Sequence, residues 1–164
     1  MVDRALNALD RGWLPIPLCW PTAEGACGCG RGHASRAIGK APLLGTGYQR
    51  LRPTEADIRV WWRRWRCANV GLLLEPANLL VVDADGAAGL AEIQRLGVGD
   101  TYTVRRSPDR RHFYFACDDA PRTRRIHRGE SRQIDVLSLG YIPGHKDFHE
   151  PTGRNWDICP GQAL

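Results

Sequence analysis

The stretch Leu79-Leu80-Val81-Val82-Asp83-Ala84-Asp85-Gly86 decides the fold. Its four leading apolar residues, two of them β-branched, predict a buried strand. The run ends in two acids separated by one residue. Side chains at i and i+2 of a strand point to the same face, so Asp83 and Asp85 stand side by side at the strand end. Like charges held together cost free energy unless a proton or a cation offsets them. Paired carboxylates suit Mg²⁺ or Mn²⁺, which take oxygen ligands. The plainer alternative is a solvated aspartate pair in a turn. Gly86 permits a sharp exit, and residues 87–96 read as a following helix.

Downstream, residues 101–106 read as a strand, Ser107-Pro108-Asp109 as a turn, and residues 112–117 as the return strand. In that strand His112, Tyr114 and Ala116 share one face, and Phe113, Phe115 and Cys117 the other. His112 follows Arg110 and Arg111, a place from which it could hold a phosphate or act in acid–base chemistry. The simpler reading is an exposed histidine. Residues 118–132 form a polar, Arg-rich connection, expected to be mobile. Residues 133–137 predict a short strand with Asp135 among apolar neighbours. A buried lone carboxylate needs a partner, which makes Asp135 a natural third ligand for a cation held by Asp83 and Asp85. Residues 140–145 and 152–156 suggest a final hairpin.

Upstream, residues 4–11 predict a helix with Gly12 where a C-cap belongs. Residues 13–20 follow as a strand, and Pro15 and Pro17 suggest a sheet edge. Thr54 and Asp57 have the spacing of a helix start. Ile58, Trp61, Trp62 and Trp65 then recur on one helix face, as core or as a platform for stacking bases. Arg59, Arg63, Arg64 and Arg66 lie on the other side, solvated or set against a nucleic-acid backbone. Residues 69–74 read as a strand. The turn Pro76-Ala77-Asn78 predicts that it and the Asp83 strand are antiparallel neighbours. The layout is α+β.

Between the opening strand and the rest lies a loop, residues 19–33, with Cys19, Cys27, Cys29 and His33. It is rich in glycine and has no apolar content to fold by itself. Cys₃His is a closed structural zinc set, and glycine lets the backbone turn tightly round an ion. The alternative is an unstructured reduced loop. Cys67, Cys117 and Cys159 read as unrelated thiols.

At 164 residues the chain is long enough for one domain with a real core. Its 43% hydrophobic and 25% charged content is that of an ordinary globular protein. No apolar run reaches membrane-span length and no signal-peptide core opens the chain, so a cytoplasmic protein without a membrane partner is expected. Six cysteines in such a chain point to metal before disulfides. The net charge is +5, and Lys40 and Lys146 are the only lysines. Arginine forks match phosphate geometry, so a polyanionic partner fits. A GC-rich genome would explain the same bias.

Taken in order, several pieces resemble one family. They are Gly12 with Pro15-Ile16-Pro17-Leu18, Lys40-Ala41-Pro42, the Thr54…Ile58…Trp61-Trp62 helix and Asn69-Val70-Gly71. Then come Val81-Val82-Asp83-Ala84-Asp85, Arg111-His112-Phe113-Tyr114-Phe115 and Ile134-Asp135-Val136. Over residues 5–156 the chain is similar to the N-terminal prim-pol domain of bifunctional DNA primase–polymerases, in the archaeo-eukaryotic primase superfamily. The resemblance implies a single prim-pol domain over residues 1–164, with an RRM-like catalytic sheet, a smaller αβ unit and a zinc-binding loop. It implies Asp83, Asp85 and Asp135 as ligands of Mg²⁺ or Mn²⁺, and Cys19, Cys27, Cys29 and His33 as ligands of structural Zn²⁺. It implies that His112 contacts the triphosphate of the incoming nucleotide; the nearby Arg105 could help neutralise that triphosphate, and Lys40 and His145 are further candidate nucleotide contacts.

The implied function is template-dependent nucleotidyl transfer by two metals, on a single-stranded DNA template with nucleoside triphosphates. Two matches depart from the family pattern. Leu74-Glu75 stands where a Thr-Gly pair is usual, and Ile142-Pro143-Gly144-His145 where Pro-Pro-Ser-x-His is usual. Larger relatives carry a helicase downstream. The end at Leu164 reads as a fragment or as a small stand-alone version, with a helicase as a possible partner. A catalytically silent nucleic-acid-binding domain and a metal-dependent nuclease are the rival readings.

Overall fold

The computed structural model describes residues 1–98, 101–119, 124–128, 131–144, 148–149, 154–155 and 157–158, with side chains in 1–98, 101–119 and 134–144. Helix α1 (Val2–Asp10) buries Ala5 and Ala8. Gly12 follows at φ +78 and donates its N–H to the Leu9 carbonyl, so the left-handed stop expected there is present. Strand β1 (Leu14–Leu18) is the edge of a three-stranded antiparallel sheet, as its two prolines require. In that sheet β2 (Asn69–Leu73) lies between β1 and β8 (Tyr141–Pro143). All five residues of β2 are buried. A Cβ at Gly71 would meet the Leu18 side chain at 2.8 Å, so the close approach of the two strands requires glycine.

Helix α2 (Glu55–Arg64) starts on a complete capping box between Thr54 and Asp57. Ile58 and Trp62 are buried, and Trp61 and Trp65 pack against the same core. The tryptophan stripe is therefore core; the Trp62 indole N–H is satisfied by the Ala68 carbonyl at 3.0 Å. Arg59, Arg63, Arg64 and Arg66 are exposed.

The second sheet comprises β3 (Leu79–Asp85), β4 (Thr103–Ser107), β5 (Arg110–Ala116), β6 (Arg124–Arg128), β7 (Ser131–Leu137) and β11 (Asp157–Ile158). Its order is β11-β4-β5-β3-β7-β6, with every neighbouring pair antiparallel. A two-stranded ribbon joins β9 (Phe148–His149) to β10 (Arg154–Asn155). Alternation along β3 separates two layers. Val82 and Ala84 pack with Phe113 and Ile134 around helix α3 (Gly86–Arg95). Leu79 and Val81 face a core shared with α1, α2 and the three-stranded sheet. The architecture is α+β, as expected: two antiparallel sheets with three α-helices among the described residues.

Three local expectations are corrected. Strands β2 and β3 are not neighbours. Both edges of β2 are already taken by β1 and β8, and a 3₁₀ turn (Glu75–Ala77) with Asn78 at φ +50 carries the chain into the other sheet. The connection at 118–132 contains β6, which closes a hairpin with β7. Finally, β8 joins β2, and the described residues of 152–156 are those of β10, paired with β9.

Candidate active site and Cys/His cluster

The face of β3 that carries Val81 also carries Asp83 and Asp85. Asp83 sits at the centre of the sheet, in register with His112 of β5 on one side and Asp135 of β7 on the other. His112 in turn pairs with Val104 of β4. Residues directly opposite in antiparallel strands share a face, so Asp135, Asp83 and His112 form one row across three strands.

Strand β4 adds a residue that the sequence reading did not select. Arg105 pairs with Arg111 and Ser107 with Arg110, leaving Arg106 as the extra residue of a bulge. Bulges re-aim side chains beside active sites. Here Arg106 Nη1 lies 3.1 Å from Asp83 Oδ2 and 3.1 Å from His112 Nε2. Arg105 is exposed, and it is Arg106 that the fold brings to the acids. His112 Nε2 also lies 3.4 Å from Asp83 Oδ1. A guanidinium only donates and a carboxylate only accepts, so the tautomer of the ring sets whether Nε2 accepts from Arg106 or donates to Asp83.

The charges follow from these contacts. Burial alone would raise the Asp83 carboxyl; His112 and Arg106 outweigh it and hold that carboxyl below its ordinary value. Burial pushes the His112 imidazole down, against the pull of Asp83. Asp85 is the opposite case. Burial, and then repulsion from Asp83, raise its carboxyl, despite Arg110 and Arg106 nearby. Its Oδ1 is buried without a hydrogen-bond donor, and its ion pair is with Arg110 Nε at 3.5 Å. A buried oxygen that makes no hydrogen bond and meets Arg110 at 3.5 Å, next to a second carboxylate and with a third on the adjoining strand, fits a hard divalent cation. The three acids share a face without converging: their oxygens do not all lie within 4.8 Å of one another. Lys40 is half-buried and within electrostatic reach of Asp83, Asp85, Arg106 and Arg110; burial and Arg106 lower its ammonium. His145 lies outside the described residues.

The second cluster is in the loop at 19–33. Cys19 Sγ, Cys27 Sγ and a ring nitrogen of His33 all lie within 4.8 Å of one another. Cys29 joins them, with its Sγ 3.2 Å from Cys27 Sγ and 3.6 Å from His33 Nδ1. Cys27 Sγ is 3.2 Å from His33 Nδ1. The sulfur separation is far beyond a disulfide bond, and all four positions remain available as donors. Backbone bonds close the loop, from Gly28 N–H to the Trp20 carbonyl at 2.8 Å and from Thr22 N–H to the Ala26 carbonyl at 2.7 Å. A Cβ at Gly28 would fall 2.1 Å from the Trp20 indole nitrogen, so this turn needs glycine. Burial raises the Cys29 thiol, and its neighbour Cys27 adds to that.

A family model described as bifunctional DNA primase/polymerase, N-terminal, matches residues 5–162. No curated protein gives a match.

Proposed function

The chain belongs to the bifunctional DNA primase/polymerase N-terminal (Prim-Pol) family, and from that premise we propose that it carries out template-dependent nucleotidyl transfer on single-stranded DNA. The observation that carries the proposal is the register row Asp135–Asp83–His112, with Asp85 on the same strand face. In this reading the six-stranded sheet is the RRM-like catalytic sheet of one prim-pol domain. Asp83, Asp85 and Asp135 would hold Mg²⁺ or Mn²⁺. Such ions, when bound, offset charge on the attacking and leaving oxygens of a phosphoryl transfer.

The chain's own residues do the rest. A nucleoside triphosphate brings negative charge to the acids, and Arg106 and Lys40 supply fixed positive charge against it. Neutral His112 offers a ring that orients phosphate oxygens or Arg106 without adding charge. The 3′-hydroxyl attacks the α-phosphate in line, and pyrophosphate leaves toward the cationic side. Arg105 and His145 remain candidates for outer nucleotide contacts. Cys19, Cys27, Cys29 and His33 would hold a structural zinc, whose closed four-ligand set leaves no water to activate. No helix among the described residues is long and apolar enough to cross a membrane. We place the protein in the cytoplasm with DNA, nucleotides and, in larger assemblies, a helicase as partners.

One gel separates the readings. A labelled strand on a single-stranded template, with nucleotides and Mg²⁺ or Mn²⁺, is lengthened by a polymerase and shortened by a nuclease. A silent binding domain shifts it without changing its length. Lengthening is expected; shortening, or a shift alone, overturns the proposal.

A further inference from the structure

Residues 37–41 join the Cys/His loop to the acidic site, and the backbone of 39–41 is fully clamped. Gly39 donates its N–H to Cys19 Sγ at 3.2 Å, and its carbonyl accepts from Asn69 Nδ2 at 3.0 Å. Lys40 and Ala41 both donate to the Ala37 carbonyl, at 3.0 and 2.9 Å. The Lys40 carbonyl accepts from the Tyr141 hydroxyl at 2.9 Å. The Ala41 carbonyl accepts from Cys19 N–H at 2.7 Å. Each N–H and each C=O of Gly39, Lys40 and Ala41 therefore has a partner, and Gly39 is at φ +82, where a side chain is strained. Only the Lys40 side chain is left to vary, and its ammonium reaches the field of Asp83 and Asp85.

Two of the six anchors belong to Cys19. The same sulfur, which as a thiol donates to the Ala37 carbonyl at 3.3 Å, lies among the candidate metal ligands; as a zinc-bound thiolate it would give up that bond and keep the one it accepts from Gly39 N–H. We propose that the Cys/His loop is a brace for Lys40. Zinc held by Cys19, Cys27, Cys29 and His33 fixes the Cys19 sulfur, the sulfur fixes the backbone at 39–41, and that backbone aims the Lys40 ammonium at the nucleotide triphosphate. Asn69 and Tyr141 are positioning residues in the same clamp. The inference rests on the nucleotidyl-transfer reading and gives the loop a job at the nucleotide rather than at the template. The physical gain is preorganisation. A lysine side chain and a Gly-rich loop both lose much entropy on ordering, and a clamp formed in advance removes part of that cost from binding.

The test compares the wild-type chain with Cys27→Ser/Cys29→Ser, Lys40→Ala, the three changes combined, and Tyr141→Phe. Each is assayed for zinc by elemental analysis, for affinity toward a non-hydrolysable deoxynucleoside triphosphate analogue with Mg²⁺, and for affinity toward a single-stranded oligonucleotide. One zinc per wild-type chain is expected, lost in the double cysteine variant. Nucleotide Kd should rise about tenfold in that variant and in Lys40→Ala, the scale of one charged hydrogen bond. The combined variant should be no worse than Lys40→Ala alone, because both act through one contact. Tyr141→Phe leaves the loop untouched; it should keep its zinc and weaken nucleotide binding about threefold to fivefold, the scale of one neutral hydrogen bond. Oligonucleotide affinity should stay constant throughout.

A zinc-free wild type overturns the brace. So does wild-type nucleotide affinity in either the double cysteine variant or Tyr141→Phe. Additive losses in the combined variant, or weakened oligonucleotide binding in place of weakened nucleotide binding, overturn it as well. A wild-type chain that binds no nucleotide at all removes the functional reading itself, and that result is distinct from the others.

Discussion

Arg106 is the residue through which the electrostatics of the acidic site can be tested as stability. Its side chain is 11% exposed and that of Asp83 15%, at 3.1 Å. At an effective dielectric constant of about 20, two unit charges at this distance attract by about 5 kcal/mol. Desolvation of both groups cancels much of this in the intact protein, but Arg106→Ala leaves the Asp83 carboxylate behind. Breaking one side of a buried pair costs about 3–5 kcal/mol. Partial exposure of Asp83 admits some water, which brings the expected loss to roughly 2–3 kcal/mol. Urea denaturation at pH 7 measures it as a lowered midpoint with an unchanged slope. The Asp83 carboxyl is held below its ordinary 3.8. Its contribution is present above that value and is lost as pH falls through the folded value, so wild type and variant should converge in acid. Millimolar Mg²⁺ should stabilise the variant more than the wild type, because a cation on Asp83 and Asp85 supplies the missing charge. A loss below 0.5 kcal/mol, on the order of a surface pair, would refute the reasoning.

Other expectations follow from neighbouring residues. His112→Ala should weaken nucleotide binding more than oligonucleotide binding; an equal fall in both, or none, removes His112 from the nucleotide site. Burial lowers the His112 imidazole from 6.5. The unfolded chain therefore takes up that proton first, and stability, full above about pH 6.5, should decline as pH drops below it. Urea midpoints between pH 7.5 and 5.5 should show this slope in the wild type and a flatter one in His112→Ala. Thr54→Ala removes the capping box of α2 and should cost about 1 kcal/mol, with nucleotide affinity unchanged; a loss of nucleotide affinity there would mean that α2 reaches the site.

Elements whose pattern is local were legible in the sequence. The β3 strand, its two acids, the capped α2 helix and the Gly12 stop each rest on neighbouring residues, and each is found where the pattern places it. Pairing partners were less legible, because register depends on residues far apart in the chain. The turn at residues 76–78 suggested a hairpin, yet β2 was already flanked on both sides. Arg106 was missed for a related reason. Strict alternation says which face a residue takes only if no bulge intervenes, and the bulge between Arg105 and Ser107 is a property of the pairing with β5. The Cys/His cluster was legible as a set of donors. Its link to Lys40 was not, because that link runs through backbone hydrogen bonds, which composition does not show.

The central claim is that Asp83 and Asp85 hold the divalent cations on which synthesis depends. The most direct measurement is nucleotide incorporation on a primed single-stranded template in Mg²⁺, comparing wild type with Asp83→Ala/Asp85→Ala, with circular dichroism confirming the fold of both. Removing the ligands forfeits several kcal/mol of transition-state stabilisation, which is a rate loss of about a thousandfold or more. The account predicts that synthesis by the folded double variant falls to background. Undiminished incorporation by that folded variant would contradict it.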